Sequence, residues 1–407
     1  MNRKLAMWGG AFLASALVVG AVAAAPLSAT ETQEEGVDAA AIIEAADIKT
    51  AEDWAEAYPN EYASYQMNSE NEATADYLEE VPYLNVLYAG NAFSKDYLEA
   101  RGHSYTLDDV STTKRAPAKA NCLSCKTPTM SALISSGETG VYTLAFDEVL
   151  AMCEEPISCY NCHANTGDQL VVTNTFLTDA LGDDADEVAL ENQVCGQCHN
   201  EYYFDPETKA TTLPYTSLET MTPDAILDYY NEIGFSDYTD PQTGVQFIKV
   251  QHTEFETYMG EDSPMAQLGY TCADCHMGTA TDADGNEYAN HNITSPLDNE
   301  ELIENDCSNC HTDIVAEVEA IQEETEARTH EIGNALADFT NRLAEAKEAG
   351  KVSDEDFAKI SELDRTAVYY WDFVFVENAE GAHNSALAEA CLDKAEAALA
   401  EAEALLG

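Results

Sequence analysis

Three stretches near the C-terminus carry the period of an amphipathic helix, and little before them does. From Thr312 to about Gly350, Ile314, Val318 and Ile321 and then Ile332, Leu336, Phe339 and Leu343 fall on one stripe, the spacing of a helix with one buried face. Gly350 and Ser353 break the run, and the pattern predicts a second helix from about Asp354 to Val376 and a third, Ala-rich, from Ser385 to Leu406. At the other end, Leu5 to Ala25 is almost unbroken apolar sequence behind Arg3 and Lys4, with an A-x-A cleavage pattern at Ala21-Val22-Ala23. This reads as an export signal over residues 1–29. A run of about 20 apolar residues is also long enough for an uncleaved membrane anchor. Residues 30–45, acidic and rich in Ala, Thr and Glu, suit a tether. From 46 to 311 the periodicity is weak, giving short helices, turns and few strand pairs.

Cysteine spacing explains that weakness. Four stretches read C-x-x-C-H: Cys159 to Cys162 with His163, Cys195 to Cys198 with His199, Cys272 to Cys275 with His276, and Cys307 to Cys310 with His311. In this motif the two thiols form thioethers to a haem, and the adjacent imidazole turns back onto the iron. A fifth stretch, Cys122-Leu-Ser-Cys125-Lys126, pairs the thiols in the same way but ends in lysine. Zinc sites would not place His directly after the second Cys four times over, and disulfide scaffolds belong to shorter chains. The chain therefore carries five haem c groups, which fill the core where side-chain patterning is weak. The motifs use ten of the twelve cysteines. Cys153 and Cys391 remain, either as a disulfide or as two unrelated thiols.

Charge narrows the partners. With 18 basic and 76 acidic residues the formal charge is −58. Binding to nucleic acid or an anionic membrane needs clustered Lys and Arg and is excluded. An anionic substrate must find a locally positive pocket.

Lys126 marks one haem as different. To bind iron its amine must be neutral, which requires a buried, metal-coupled setting. Only nine histidines are present; four are proximal, leaving His103, His252, His291, His330 and His383. Four distal ligands for four ordinary haems leave at most one spare, and nothing compels a distal ligand on the lysine-ligated haem. One open iron among four wired ones fits this count.

These residues resemble the pentahaem cytochrome c nitrite reductases, the ammonia-forming cytochrome c-552 family. The resemblance runs from about residue 80 to the C-terminus. Beyond the haem motifs it rests on Arg101-Gly102-His103, Asp109-Val110 leading to Arg115, Asn200-Glu201-Tyr202-Tyr203-Phe204, Lys249-Val250-Gln251-His252, His291, and Trp371-Asp372 ahead of His383-Asn384. It implies a mainly α multihaem cytochrome c fold, with a pentahaem catalytic domain over 46–311 and a long-helix region over 312–407 that completes it and forms a homodimer. It implies six-electron reduction of nitrite to ammonium at the open face of the Lys126 iron, surrounded by Arg115, Tyr202 and His252. It also implies a Ca²⁺ held by Glu201, Tyr202, Lys249 and Gln251, the oxygen-rich ligation that calcium prefers. The electron donor it implies is a quinol-oxidising membrane cytochrome or a soluble multihaem protein, met on the periplasmic side or the outer face of the cytoplasmic membrane.

With the haems and motifs numbered in chain order, from the first at Cys122 to the fifth at Cys307, the resemblance further assigns distal ligands, His103 to the third haem, His291 to the second and His383 to the fourth. For the fifth it expects a histidine seven residues before Cys272, where this chain has Met265. Either Met265 ligates the iron, giving a His/Met haem of raised potential, or another group such as His330 does. Two other functions compete: reduction of another small oxyanion or nitrogen oxide, such as sulfite or hydroxylamine, and a non-enzymatic electron conduit.

Overall fold

Each of the three C-terminal helices begins at a residue able to accept a hydrogen bond from the free N–H groups of its first turn. The computed structural model describes residues 37–70 and 72–407, and in it the long helices are Ile314–Glu348, Asp354–Phe375 and Ser385–Leu406. Asp313, Ser353 and Asn384 cap them, accepting from the amides of Ala316, Asp356 and Leu387. The first stops where Gly350 takes a positive φ of 63°, which costs a residue without Cβ little.

The second and third helices pack along their lengths and the first lies against both. Trp371, Tyr369, Phe373, Ile360, Leu336, Phe339 and Leu343 are fully buried between them. Small residues on the third helix, among them Ala388, Ala395 and Ala402, let the backbones approach. The first helix departs from expectation at its start: Ile314, Val318 and Ile321 are only half-buried, whereas Ile332, Leu336, Phe339 and Leu343 lie in the core. At Gly333 a Cβ would come within 2.5 Å of the Tyr83 ring, so glycine there lets Tyr83 seat against the helix.

Among the described residues, the region before Thr312 consists of short helical turns and three two-stranded antiparallel hairpins, pairing Tyr203–Phe204 with Thr211–Thr212, Tyr238–Thr239 with Gln246–Phe247, and Thr279–Thr281 with Glu287–Ala289. One boundary needs correcting. The tether read over 30–45 ends in a helix, Ala39–Ala46, capped by Asp38, with Ala39 buried and Ile42 and Ile43 packed on the core. Its Ala-Ile-Ile run has apolar surface to bury, which outweighs the acidic composition around it. The export signal and the start of the tether lie outside the described residues. Among the described residues no helix is long and apolar enough to cross a membrane.

Candidate haem and active site

A C-x-x-C pair on one helical turn sets both thiols on the same face, because residues three apart are neighbours there. Cys159–His163 and Cys272–His276 are such turns, each closed by a capping box, from Ser158 with Asn161 and from Thr271 with Asp274. Cys195 lies in the helix Leu190–Gly196, and Cys122 and Cys307 lie on 3₁₀ turns. Thiols of different motifs adjoin. Cys125 lies against Cys198, and Cys195 against Cys272. Cys162 and Cys198 sense each other's charge, as do Cys275 and Cys307. The motif of Cys195 to His199 is thus the hub, with the others arranged around or beyond it.

Among the described residues, four pairs of imidazoles meet at similar range, His199 with His252 at 6.0 Å being one. The three expected to share an iron are His163 with His291, His103 with His199, and His276 with His383, at ring-centroid separations of 6.3, 6.2 and 6.1 Å. Metal–imidazole bonds are about 2 Å long, so two of them plus the two ring radii span roughly 6 Å. The spacing suits one iron between each pair. Burial first, then neighbouring cationic groups, pulls His103 down to about 4, and burial also lowers His163, His199 and His276. Each of these shifts favours the neutral ring, the form that ligates.

The second nitrogen is occupied in four of these six rings, and in His311 of the last motif. The Nδ1 atoms of His163, His276 and His291 meet the carbonyls of Gln169, Thr294 and Ala289 at 2.9–3.0 Å. His383 and His311 meet carboxylates instead, Glu377 and Glu317, each at 2.7 Å. Such partners fix ring orientation and raise ligand basicity. Glu377 and Glu317 carry no signal in the sequence beyond a carboxylate six residues from a ligand-type histidine.

Lys126, Tyr202 and His252 line one cavity, together with Cys122, Cys125, Cys198, Asn121, Ser124, Phe204 and Thr211. The structure therefore brings the lysine of the variant motif together with two of the three residues expected around its iron. Arg115 stands beside this cavity. Its guanidinium stacks over Phe93 at 4.5 Å, its Nε donates to Thr113, and its charge reaches Tyr202 and Cys122. Burial pushes the Tyr202 phenol far up, so it remains a hydrogen-bond donor.

The four residues expected to hold calcium also converge. Glu201, fully buried, accepts from the Tyr230 hydroxyl at 2.8 Å and from the Gln251 amide at 2.6 Å. The Gln251 side chain reaches the Lys249 carbonyl at 2.8 Å. The Lys249 ammonium points away, bonded to both oxygens of buried Asp372 at 3.2 Å, so the carbonyl is what Lys249 offers. Burial drives the Glu201 carboxyl well up, a penalty that an oxygen-binding cation would relieve.

His330 stands elsewhere. Its Nδ1 meets the Tyr83 hydroxyl at 2.8 Å and its Nε2 faces Glu326 at 3.4 Å. It is also 16 residues along the helix that starts at Ile314, about 24 Å up its axis from the fifth motif. Met265 is half-buried on the turn Pro264–Gln267, ahead of the fourth motif. Cys153 and Cys391 are both free thiols, which favours two unrelated thiols over a disulfide.

Sequence reasoning missed Glu254. This buried carboxylate stands 3.8 Å from His252 Nδ1 and 3.9 Å from His199 Nδ1. The only hint was its place two residues after His252 in a Gln-His-Thr-Glu-Phe-Glu run.

Solved structures resemble this chain to differing degrees. The catalytic subunit of cytochrome c nitrite reductase from Desulfovibrio desulfuricans, a structure concerned with the relevance of its two calcium sites, is 26% identical with a TM-score of 0.77; the match covers 88% of this chain and 86% of that one. The outer cell wall cytochrome OcwA is 19% identical with a TM-score of 0.41, the match covering 73% of this chain and 48% of that one. An undecahaem S-layer cytochrome of Carboxydothermus ferrireducens is 18% identical with a TM-score of 0.39, the match covering 75% and 41%. The family model for cytochrome c552 matches residues 50–407, and the chain belongs to that family.

Proposed function

We propose that the protein reduces nitrite to ammonium at a haem carried by Cys122 and Cys125 and ligated by Lys126. The observation that carries this is the shared cavity of Lys126, Tyr202 and His252 with Arg115 beside it. The family membership and the Desulfovibrio nitrite reductase likeness support it. Cys122, Cys125 and Lys126 would hold the haem at which nitrite is reduced, and haems held by the other four motifs would supply electrons to it.

The protein's own residues hold the anion and deliver protons. Arg115, permanently charged, gives a nitrite anion a counter-charge inside a protein of −58 and favours departing oxygen. Tyr202 keeps its proton and donates a hydrogen bond. His252 is the residue whose imidazole can pass protons into the cavity, and converting nitrite to ammonium takes eight of them with six electrons. Glu201, Gln251 and the carbonyls of Tyr202 and Lys249 are the proposed Ca²⁺ ligands; calcium would add positive charge beside the site.

Four attachment motifs act as the relay, with His103, His291 and His383 as distal ligands and Met265 as that of the fifth haem. The engagement of His330 by Tyr83 and Glu326 favours Met265. Replacing Met265 with alanine should then remove the highest-potential haem from a redox titration, and a wild type without a haem in the His/Met range refutes the assignment. Export and a homodimer are part of the same proposal. The acidic surface calls for a donor with a basic docking face, so coupling should weaken as salt rises.

The test of function is nitrite-dependent oxidation of a reduced dye with ammonium measured as product. Arg115→Ala and His252→Asn should each lose most of the activity, about 10²–10⁴-fold for the proton-delivering group. Absence of ammonium, or variants as active as wild type, would overturn it.

A further inference from the structure

Glu254 belongs to none of the roles assigned so far, yet it touches two of them. Its side chain is buried, and its Oε1 is fixed by the Asn378 side-chain amide at 2.6 Å. On one side stands His199 of the hub motif, Nδ1 at 3.9 Å from Oε2, and on the other His252, Nδ1 at 3.8 Å from Oε1. Neither Glu254 Oε2 nor His252 Nδ1 has any other hydrogen-bond partner, although both are buried. The rings of His199 and His252 meet edge to face with centroids 6.0 Å apart.

The backbone holds this segment against the hub. The Phe255 amide donates to the His199 carbonyl at 3.0 Å, and the Phe255 ring covers Gly196, where a Cβ would come within 2.3 Å of it. Glycine between Cys195 and Gln197 is what lets residues 254 and 255 approach the motif.

The chemistry of the two rings then selects a carboxylate. His199 must present Nε2 to its iron and His252 must present Nε2 to the cavity, so both Nδ1 atoms carry the proton and both are donors. Two donors facing one side chain need two acceptors. A carboxylate has them, whereas an amide has one acceptor and one further donor.

We propose that Glu254 is a positioning residue shared by the electron relay and the reaction site, one carboxylate fixing the ring of His199 on the hub haem and the ring of His252 over the cavity. The proposal rests on the roles given above to His199 and His252. It implies that the hub haem and the proton-delivering ring are held by the same anion, so that neither can be reoriented without the other.

The test uses the haem-loaded protein with Glu254→Gln, and Glu254→Asp as the second variant, each checked for its haem count. Two readings are taken: a spectroscopic redox titration of the bis-imidazole haems, and the kcat and KM for nitrite. Glu254→Gln should shift one bis-imidazole haem to more positive potential, because an amide partner makes the ligand less basic. It should also lower kcat about 10–100-fold, the usual cost of losing such a partner, with KM changed less. Glu254→Asp keeps the charge but is shorter by one methylene, so both effects should appear with the same sign and smaller size. A Gln or Asp variant that loads its haems and matches wild type in either reading overturns the proposal, since volume-filling alone would leave both unmoved and a role at one ring would move only one. If the wild type forms no ammonium, the proposed function falls; the potential, read together with spectrally monitored nitrite binding to the oxidised protein in place of turnover, still decides the fate of Glu254.

Discussion

The long helices and the attachment segment are built on opposite principles. In the helices, apolar residues of the chain supply the core: Trp371 is fully buried, its indole N–H donates to the Thr329 carbonyl at 2.9 Å, and its ring packs on Phe375, Tyr83 and Tyr88. In the attachment segment the turns at Cys272–His276 and Cys307–Asn309 bury none of their own residues. Their partners are loop backbone, caps, thiols of other motifs and, for His276, the ring of His383. A core made of side chains announces itself as periodicity. A core made for a prosthetic group announces itself only through the residues that attach it.

The contrast can be broken at several points, beginning where the effect should be largest. Replacing both thiols of the hub, Cys195 and Cys198, with alanine should cost more than one haem, because these thiols adjoin those of the first, second and fourth motifs. The same change at Cys307 and Cys310, where Cys310 is exposed, should leave four haems in place. Pyridine haemochrome counts separate the two outcomes, and equal losses would contradict the hub.

Next comes the helical core itself. Trp371→Ala should lower stability by about 3–5 kcal/mol, as truncation of a fully buried aromatic does, measured by denaturant unfolding with the haem count unchanged. A smaller loss would mean that haems, not helices, carry the cooperativity.

Asp364 tests the same block through pH. Its carboxyl is fully buried on the second long helix with neither oxygen hydrogen-bonded, and burial followed by the charge of Asp240 pushes it up to about 8. The folded value exceeds the unfolded one, so its stabilising contribution is complete below the ordinary carboxylate range and is lost as pH rises through about 8. Asp364→Asn removes that dependence. The variant should melt higher than wild type at pH 9, by the equivalent of about 1–3 kcal/mol, with the gap narrowing towards pH 5. A gap independent of pH would show that the carboxyl does not titrate in that window.

The smallest effect belongs to the attachment segment's surface. Leu268 is 72% exposed, and Leu268→Ser should change stability by less than about 0.5 kcal/mol. A larger loss would mark that loop as covered in the working protein.

Much of this was legible beforehand, for reasons that differ by residue. The helix from Ser385 to Leu406 matches its expected limits because a cap and an apolar period are both local signals. The half-exposed start of the first long helix was not legible. Ile314, Val318 and Ile321 have the right spacing, but burial depends on a neighbour, and periodicity names none. The helix over Ala39–Ala46 is hidden in an acidic stretch because its apolar run is shorter than the acidic segment around it.

The sequence by itself determined where the paired-cysteine motifs lie, that one of them ends in Lys126, and where the long helices begin and end, since a C-x-x-C motif and a helix cap are both read over a few residues. The tertiary structure alone decided which histidines face each other, that His330 is held by Tyr83 and Glu326, and that Glu254 stands between His199 and His252. Those are distances between residues far apart in the chain or on different faces of a turn, and only the folded packing sets them.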